Sequence, residues 1–313
     1  MPNKVFIVDC FTSEIFRGNP AAVCLLDKSL SSEEYQKIAA ELNLSITAFV
    51  RPLESGNFEN AEKFALCWFT ATQEVDLCGH GTLGASHVLY HHMNYSKPSL
   101  TFNTLSGEVK VKNIAKGQYQ LNFPLYKLNS LKIKNVENPF VEEFEEVEAP
   151  SIVVNMLKAF NIGHVFHGAV YSSDRKTCIL VLNENTTKAE LLSVKHCSDE
   201  LRHLHPSGDF VKCVFISLNP KNPLAQGFVD KDGKAYDYAS RTFMPWIGLV
   251  EDPATGSSHC TLAQLWSTFM PNKELYAFQC YPGRGAEFTL NVLRESVCIT
   301  GGATTVLEGF AHF

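Results

Sequence analysis

The chain has 313 residues, a net charge of −6 and 45% hydrophobic residues. Single hydrophobic cores stop growing near roughly 250–300 residues, so two lobes are expected, and the acidic balance argues against a nucleic-acid partner, which calls for a basic patch. The ten cysteines are scattered singly from Cys10 to Cys298, without the spacing of a disulfide scaffold or a metal site. No apolar run approaches about 18 residues, so no membrane span is expected. Asp9 comes too early for the apolar core of a signal peptide. Reduced thiols and a cytoplasmic location are the resulting expectations.

Lys4–Asp9 reads as an opening strand, and Gly18-Asn19-Pro20 as a turn before the apolar run Ala21–Leu26. Ser31 and Glu34 form a capping box ahead of Ile38, Ala39 and Leu42 at helical spacing. That helix ends near Asn43, and Leu44–Val50 is extended. Thr82–Met93, after Gly79-His80-Gly81, is apolar around most of its circumference, the mark of a helix buried on several sides. Gly256–Met270 repeats the design. Segment 126–150, rich in lysine and glutamate, reads as a solvated connector between an N-terminal lobe, 1–125, and a C-terminal lobe, 151–299. Strands are expected at Gly168–Tyr171, Cys178–Leu182 and Val211–Leu218, with a capped helix at Thr187–Leu192. Three more follow at Glu287–Leu290, Val297–Thr300 and Thr304–Glu308, the last two split by Gly301-Gly302.

Glu74-Val-Asp-Leu-Cys-Gly79 and Glu251-Asp-Pro-Ala-Thr-Gly256 both place a glutamate five residues before a glycine that opens an apolar helix. Two such segments suggest a duplicated lobe with one central helix in each. Glycine and small polar residues at a helix start suit an anion, because the first backbone N–H groups lack helical partners and the dipole favours negative charge. Simple capping with a tight turn is the competing reading of either motif alone. Together, Gly79, His80 and Gly81 with Gly256, Ser257 and Ser258 form a candidate site for one carboxylate-bearing ligand held from both sides.

Asp252 is a candidate acid/base or substrate clamp, or else the partner of an Asx turn. His80 is a candidate for proton exchange near neutral pH. Cys78, just before a helix start, is a candidate for a lowered thiol pKa. Thr255 stands in the matching place of the second motif, which argues against a racemase built on two cysteines. His87 and His91 have the i, i+4 spacing of zincins but lack the glutamate and a third ligand, so no metal is expected. Dinucleotide, P-loop and serine-hydrolase signatures do not occur.

Five segments in order, Phe16–Val23, Asn43–Phe49, Glu74–His80, Arg241–Trp246 and Glu251–Ser257, resemble the PhzF-like (phenazine biosynthesis-like domain) family over nearly the whole chain. The resemblance implies an α+β fold of the diaminopimelate epimerase type. Two similar lobes, each a curved β-sheet or barrel, wrap a central helix, and residues from about 300 to 313 join the first lobe. It further implies a homodimer, no cofactor, and an isomerase that moves a proton along a small unsaturated or cyclic carboxylic acid. In the family that proton is carried by a glutamate in an Asn-Leu-Ser-Glu-Thr segment. Here the segment is Asn43-Leu44-Ser45-Ile46-Thr47, so Ile46 holds the catalytic position without a proton to give. His80, Asp252, Gly256 and Ser257 keep the other family positions. Two readings follow: an isomerase using a substitute acid or base among Asp252, His80 and Cys78, or a catalytically silent ligand-binding or scaffold protein that retains the cleft.

Overall fold

The computed structural model describes residues 2–53 and 57–313. The first lobe opens with β1 (Asn3–Cys10), β2 (Asn19–Leu25), α1 (Ser32–Leu42), β3 (Ile46–Pro52), β4 (Phe64–Phe69) and the short β5 (Glu74–Val75). It continues through α2 (Gly79–His91), β6 (Ser99–Thr104), β7 (Gly107–Ala115) and β8 (Gln118–Pro124). Pairing runs β1–β2–β3–β4–β6–β7–β8, with β2–β3 and β4–β6 parallel and the rest antiparallel. Helix α2 fills the interior, and every residue from Gly79 to Leu89 is buried. That is why its sequence is apolar all round. On the outside, α1 is fixed by the Ser31–Glu34 capping box and lays Tyr35 and Ile38 against Phe49 and Phe69.

The second lobe contains β9 (Asn129–Lys132), β10 (Glu146–Glu148), α3 (Ser151–Ala159), β11 (Phe166–Ser172) and β12 (Thr177–Leu182). Then come α4 (Lys188–Ser193), α5 (Ser198–Leu204), β13 (Cys213–Leu218), α6 (Pro223–Gln226) and β14 (Tyr238–Phe243). Helix α7 (His259–Phe269), β15 (Glu274–Gln279), β16 (Ala286–Val292) and β17 (Ser296–Ala311) complete the chain. The sheet runs β10–β9–β11–β12–β13–β14–β15–β16–β17 and packs on α7. The main apolar cluster is continuous between lobes, joining Leu83, Val88 and Leu89 of α2 to Leu262, Leu265 and Trp266 of α7. Among the described residues no helix is long and apolar enough to cross a membrane.

β17 belongs to both sheets. Its first half pairs with β16 on one edge and β8 on the other, and from Ala303 onward it pairs with β1, closing the first barrel. The two strands expected on either side of Gly301-Gly302 are therefore one. These glycines make room rather than a turn: a Cβ on Gly301 would overlap the Phe11 ring, and one on Gly302 would lie 2.8 Å from the Thr12 carbonyl oxygen. The charge-rich segment 126–150 is likewise more than a solvated tether. It carries β9 and β10, and its Leu128, Leu131, Ile133, Phe140 and Phe144 are buried. The glutamates masked an apolar set large enough to join the second sheet. Of the two central helices, only the second starts differently from expectation. α2 begins at Gly79, as the glycine start requires, but Gly256–Ser258 forms a 3-10 turn before α7.

Gly301→Ala tests the shared strand. Overpacking of a tight site costs about 1–3 kcal/mol, so chemical denaturation should give a loss in that range. A Gly309→Ala control, whose Cβ would meet nothing closer than 3.7 Å, should fall well below it.

Candidate active site between two helix starts

The lobes meet where their central helices begin. A Cβ on Gly79 would stand 3.2 Å from the Cα of Gly256, and one on Gly256 would stand 3.4 Å from the Cα of Gly79. Glycine at both positions relieves this crowding, and a Cβ on Gly256 would also stand 2.8 Å from the Phe11 ring. Cys78 and Thr255, the residues just before these turns, are both extended, with φ of −139° and −116°. Two helix starts, each at the positive end of a helix dipole, therefore adjoin one region. A cavity of 640 Å³ opens there, and Ile46, Cys78, Gly79, His80, Asp252, Gly256 and Ser257 all line it. Gly81 and Ser258 lie behind its wall. The Gly81 N–H donates to Cys78 Sγ, and Ser258 Oγ donates back to the Thr255 carbonyl.

Asp252 is the most elaborately held group of the site. It is 3% exposed; Asn19 Nδ2 donates to its Oδ1 at 2.6 Å and Thr255 Oγ1 donates to its Oδ2. Asn19 also donates to the Ala254 carbonyl at 2.9 Å, so β2 of the first lobe is stitched to the loop of the second. Gln279, at the end of β15, accepts from the Thr255 N–H at 2.7 Å and donates to the Asp252 carbonyl. The preceding Glu251 forms a buried two-point ion pair with Arg241 of β14, at 2.7 and 2.8 Å, and Arg241 also donates to the Leu191 and Val194 carbonyls. Fork-to-fork geometry of this kind fixes orientation as well as charge. Burial pushes the Asp252 carboxyl up to about 6, against the opposing pull of the Thr255 and Asn19 hydrogen bonds. That places the Asp252 carboxyl nearer neutrality than an ordinary aspartate.

His80 and Cys78 depart from expectation. Burial holds His80 down to about 3, so it is neutral at physiological pH rather than exchanging a proton there. Its Nε2 lies 3.3 Å from Ser45 Oγ and its Nδ1 lies 3.4 Å from Cys78 Sγ. The Cys78 thiol is pushed up to about 12, because burial outweighs the Gly81 N–H that would stabilise a thiolate. A helix start lowers a thiol pKa only where the sulfur keeps contact with solvent or a cation. The glutamates of the two related segments also part company. Glu251 is locked to Arg241, whereas Glu74 is exposed on β5. His87, at the far end of α2, serves the fold: its ring nitrogens meet Tyr119 at 3.2 Å and Thr305 at 2.9 Å.

Ile46 begins β3 and is 3% exposed. Beside it stands a group invisible to sequence reading, the indole of Trp68. Trp68 Nε1 is buried without a hydrogen-bond partner. A Cβ placed on Gly81 would be 3.2 Å from that nitrogen and 3.0 Å from Ile46 Cγ2, so both atoms press on the same glycine. An orphaned buried N–H costs about 1–3 kcal/mol, and here it faces an apolar neighbour. Asn19, Ser45 and Gln279 were missed as well. Asn19 and Ser45 lie inside quoted motifs, but nothing in one sequence marks a lone Gln279 at a strand end.

The profile described as phenazine biosynthesis-like protein matches residues 8–309. The phenazine biosynthesis-like domain-containing protein of Bos taurus is 38% identical over 99% of each chain. A protein of Halalkalibacterium halodurans named an uncharacterized isomerase is 30% identical over 98% of each. Among solved structures, a PhzF family protein of Enterococcus faecalis superposes with a TM-score of 0.79 at 28% identity, covering 100% of both chains. With the α+β architecture, the closed first barrel and these similarities together, the chain belongs to the phenazine biosynthesis-like (PhzF) family.

Proposed function

We propose that this protein is an isomerase-type PhzF relative that moves a proton on a small unsaturated or cyclic carboxylic acid without a cofactor, with Asp252 as its proton carrier. The observation that carries the reading is the meeting of two helix starts at Gly79 and Gly256 beside a buried carboxyl that titrates near 6. The substrate carboxylate lies against the N–H groups of both turns. Ser257 borders it, and neutral His80 serves as a hydrogen-bonding group, not as a cation. Homodimeric assembly and a cytoplasmic location belong to the same reading.

Ile46 favours a second reading, a ligand-binding protein that has lost turnover. In the resemblance this position carries the catalytic glutamate, and general acid–base catalysis contributes about 10²–10⁴-fold. The unpartnered Trp68 N–H supports the idea that the wall accommodates an acceptor at position 46. The two readings share the binding half of the site and differ in whether Asp252 alone suffices.

Deuterium incorporation from heavy water into a dihydro-3-hydroxyanthranilate-type acid separates them. Exchange by the native chain that disappears in Asp252→Asn supports the isomerase, and exchange seen only in Ile46→Glu supports the disarmed protein. Restoring the carboxyl should raise the rate by about 10²–10⁴-fold. Trp68→Phe in the Ile46→Glu background should take back part of that gain by removing the donor that holds the new carboxylate.

The pH dependence of binding has a defined sign. Below about 6 Asp252 is neutral, and above it Asp252 is an anion that repels a bound carboxylate. Calorimetric titration of such an acid should therefore show affinity falling on the order of tenfold between pH 5 and pH 8. The slope should vanish in Asp252→Asn. An unchanged slope in that variant would remove Asp252 from the site.

A further inference from the structure

The second-lobe wall of the cleft carries three cations, Arg175, Lys176 and Lys212. Arg175 and Lys176 lie in the turn between β11 and β12, and Lys212 lies just before β13. The turn is held in an unusual shape. Lys176 has φ 47°, and its carbonyl accepts from both Lys212 N, at 2.7 Å, and Cys213 N, at 3.3 Å. A lysine in the left-handed region costs free energy that surrounding structure must offset, and such residues cluster at functional sites. Arg175 is half-buried, its guanidinium 5.4 Å from the centre of the Tyr126 ring.

Among the described residues none of these three cations forms an ion pair, although acids are near. Asp174, beside Arg175, is exposed and lies within electrostatic reach of Lys127. Glu74 and Asp76 border the cleft from the first lobe. An arginine that lines a cleft, half out of water and without a carboxylate partner, has the geometry to take an anion. Its place relative to the helix starts is also defined. The Arg175 charge is felt by the thiols of Cys260, in the first turn of α7, and of Cys213, and the latter also feels Asp252. Arg175 and the helix starts at Gly79 and Gly256 therefore line one small-molecule space. That space of 640 Å³ falls within the about 300–1,000 Å³ typical of ligand pockets, more than a small monoacid lodged at the helix starts requires.

We propose that Arg175, assisted by Lys212, forms a second acid-group subsite, and that the ligand of this cleft is a dicarboxylic acid. One carboxylate lies against the N–H groups at Gly79 and Gly256 and the other on the planar Arg175 fork. The proposal rests on the reading of the paired helix starts as a carboxylate site and adds the second acid group to it.

Calorimetric titration of the native chain with benzoate, isophthalate and terephthalate tests it. At least one of the two dicarboxylates should bind about tenfold tighter than benzoate, the gain expected of one charge-assisted hydrogen-bonded pair. In Arg175→Gln the ratio of dicarboxylate to benzoate affinity should collapse toward one. Arg175→Lys, which keeps the charge and loses the fork, should retain part of it, and Lys212→Gln should lower it by a smaller factor. Thermal melting of each variant identifies any that fails to fold, and the remaining substitutions then carry the comparison. Equal affinity for mono- and dicarboxylates, or a preference that survives Arg175→Gln, overturns the second subsite. Benzoate binding that is lost in Gly79→Ala reports the helix-start site by itself. Benzoate bound with no gain for the dicarboxylates leaves that site standing while the proposal falls, and no binding of any acid overturns both.

Discussion

The structure turns on the contact between Gly79 and Gly256. Two buried helices, each the centre of its own lobe, point their N-termini at one place, and the backbones there come close enough that a side chain on either glycine would crowd the other. Helix dipoles directed at a common point repel one another, and their N–H groups lack partners within the helices. Such an arrangement is favourable only if an anion or a polar network answers it. Even alanine at Gly79 would bring a methyl group to 3.2 Å from the opposing Cα.

The rest of the architecture holds that contact in place. β17 runs through both sheets, so neither lobe is complete alone. The buried polar chain from Ser45 through Asn19 and Asp252 to Thr255 and Gln279 crosses the same boundary, with its hydrogen bonds directed at the loop before Gly256. Buried networks of this sort set geometry more than they add stability, since an unsatisfied member is costly. Removing water from Asp252 raises its carboxyl toward neutrality, and removing water from His80 and Cys78 leaves both uncharged. One physical effect, desolvation, thus decides all three protonation states. It leaves Asp252, among the three, as the one whose ionisation lies near pH 6.

Much of the fold was legible because local rules and tertiary structure agree. The capping boxes at Ser31 and Thr187 form as their spacing requires, and the apolar circumference of α2 matches its burial inside a barrel. The misreadings share a cause. Gly301 and Gly302 were read as a break between two strands, yet each serves close approach to a partner distant in sequence, Phe11 and Thr12. The glutamates of segment 126–150 hid two strands, because charge on the exposed face says nothing about the apolar residues on the other.

By itself the sequence determined the residue types that meet at the cleft, the two buried helices with their glycine starts, and isoleucine rather than an acid at position 46. Those follow from periodicity, capping and the identity of side chains, which are local properties. The tertiary structure decided how those groups behave. Burial reversed the expected thiol of Cys78 and silenced His80, packing left the Trp68 N–H without a partner beside Ile46, and the turn at Lys176 brought Arg175 into the cavity wall. Each depends on which segments exclude water from one another, and no spacing along the chain encodes that exclusion.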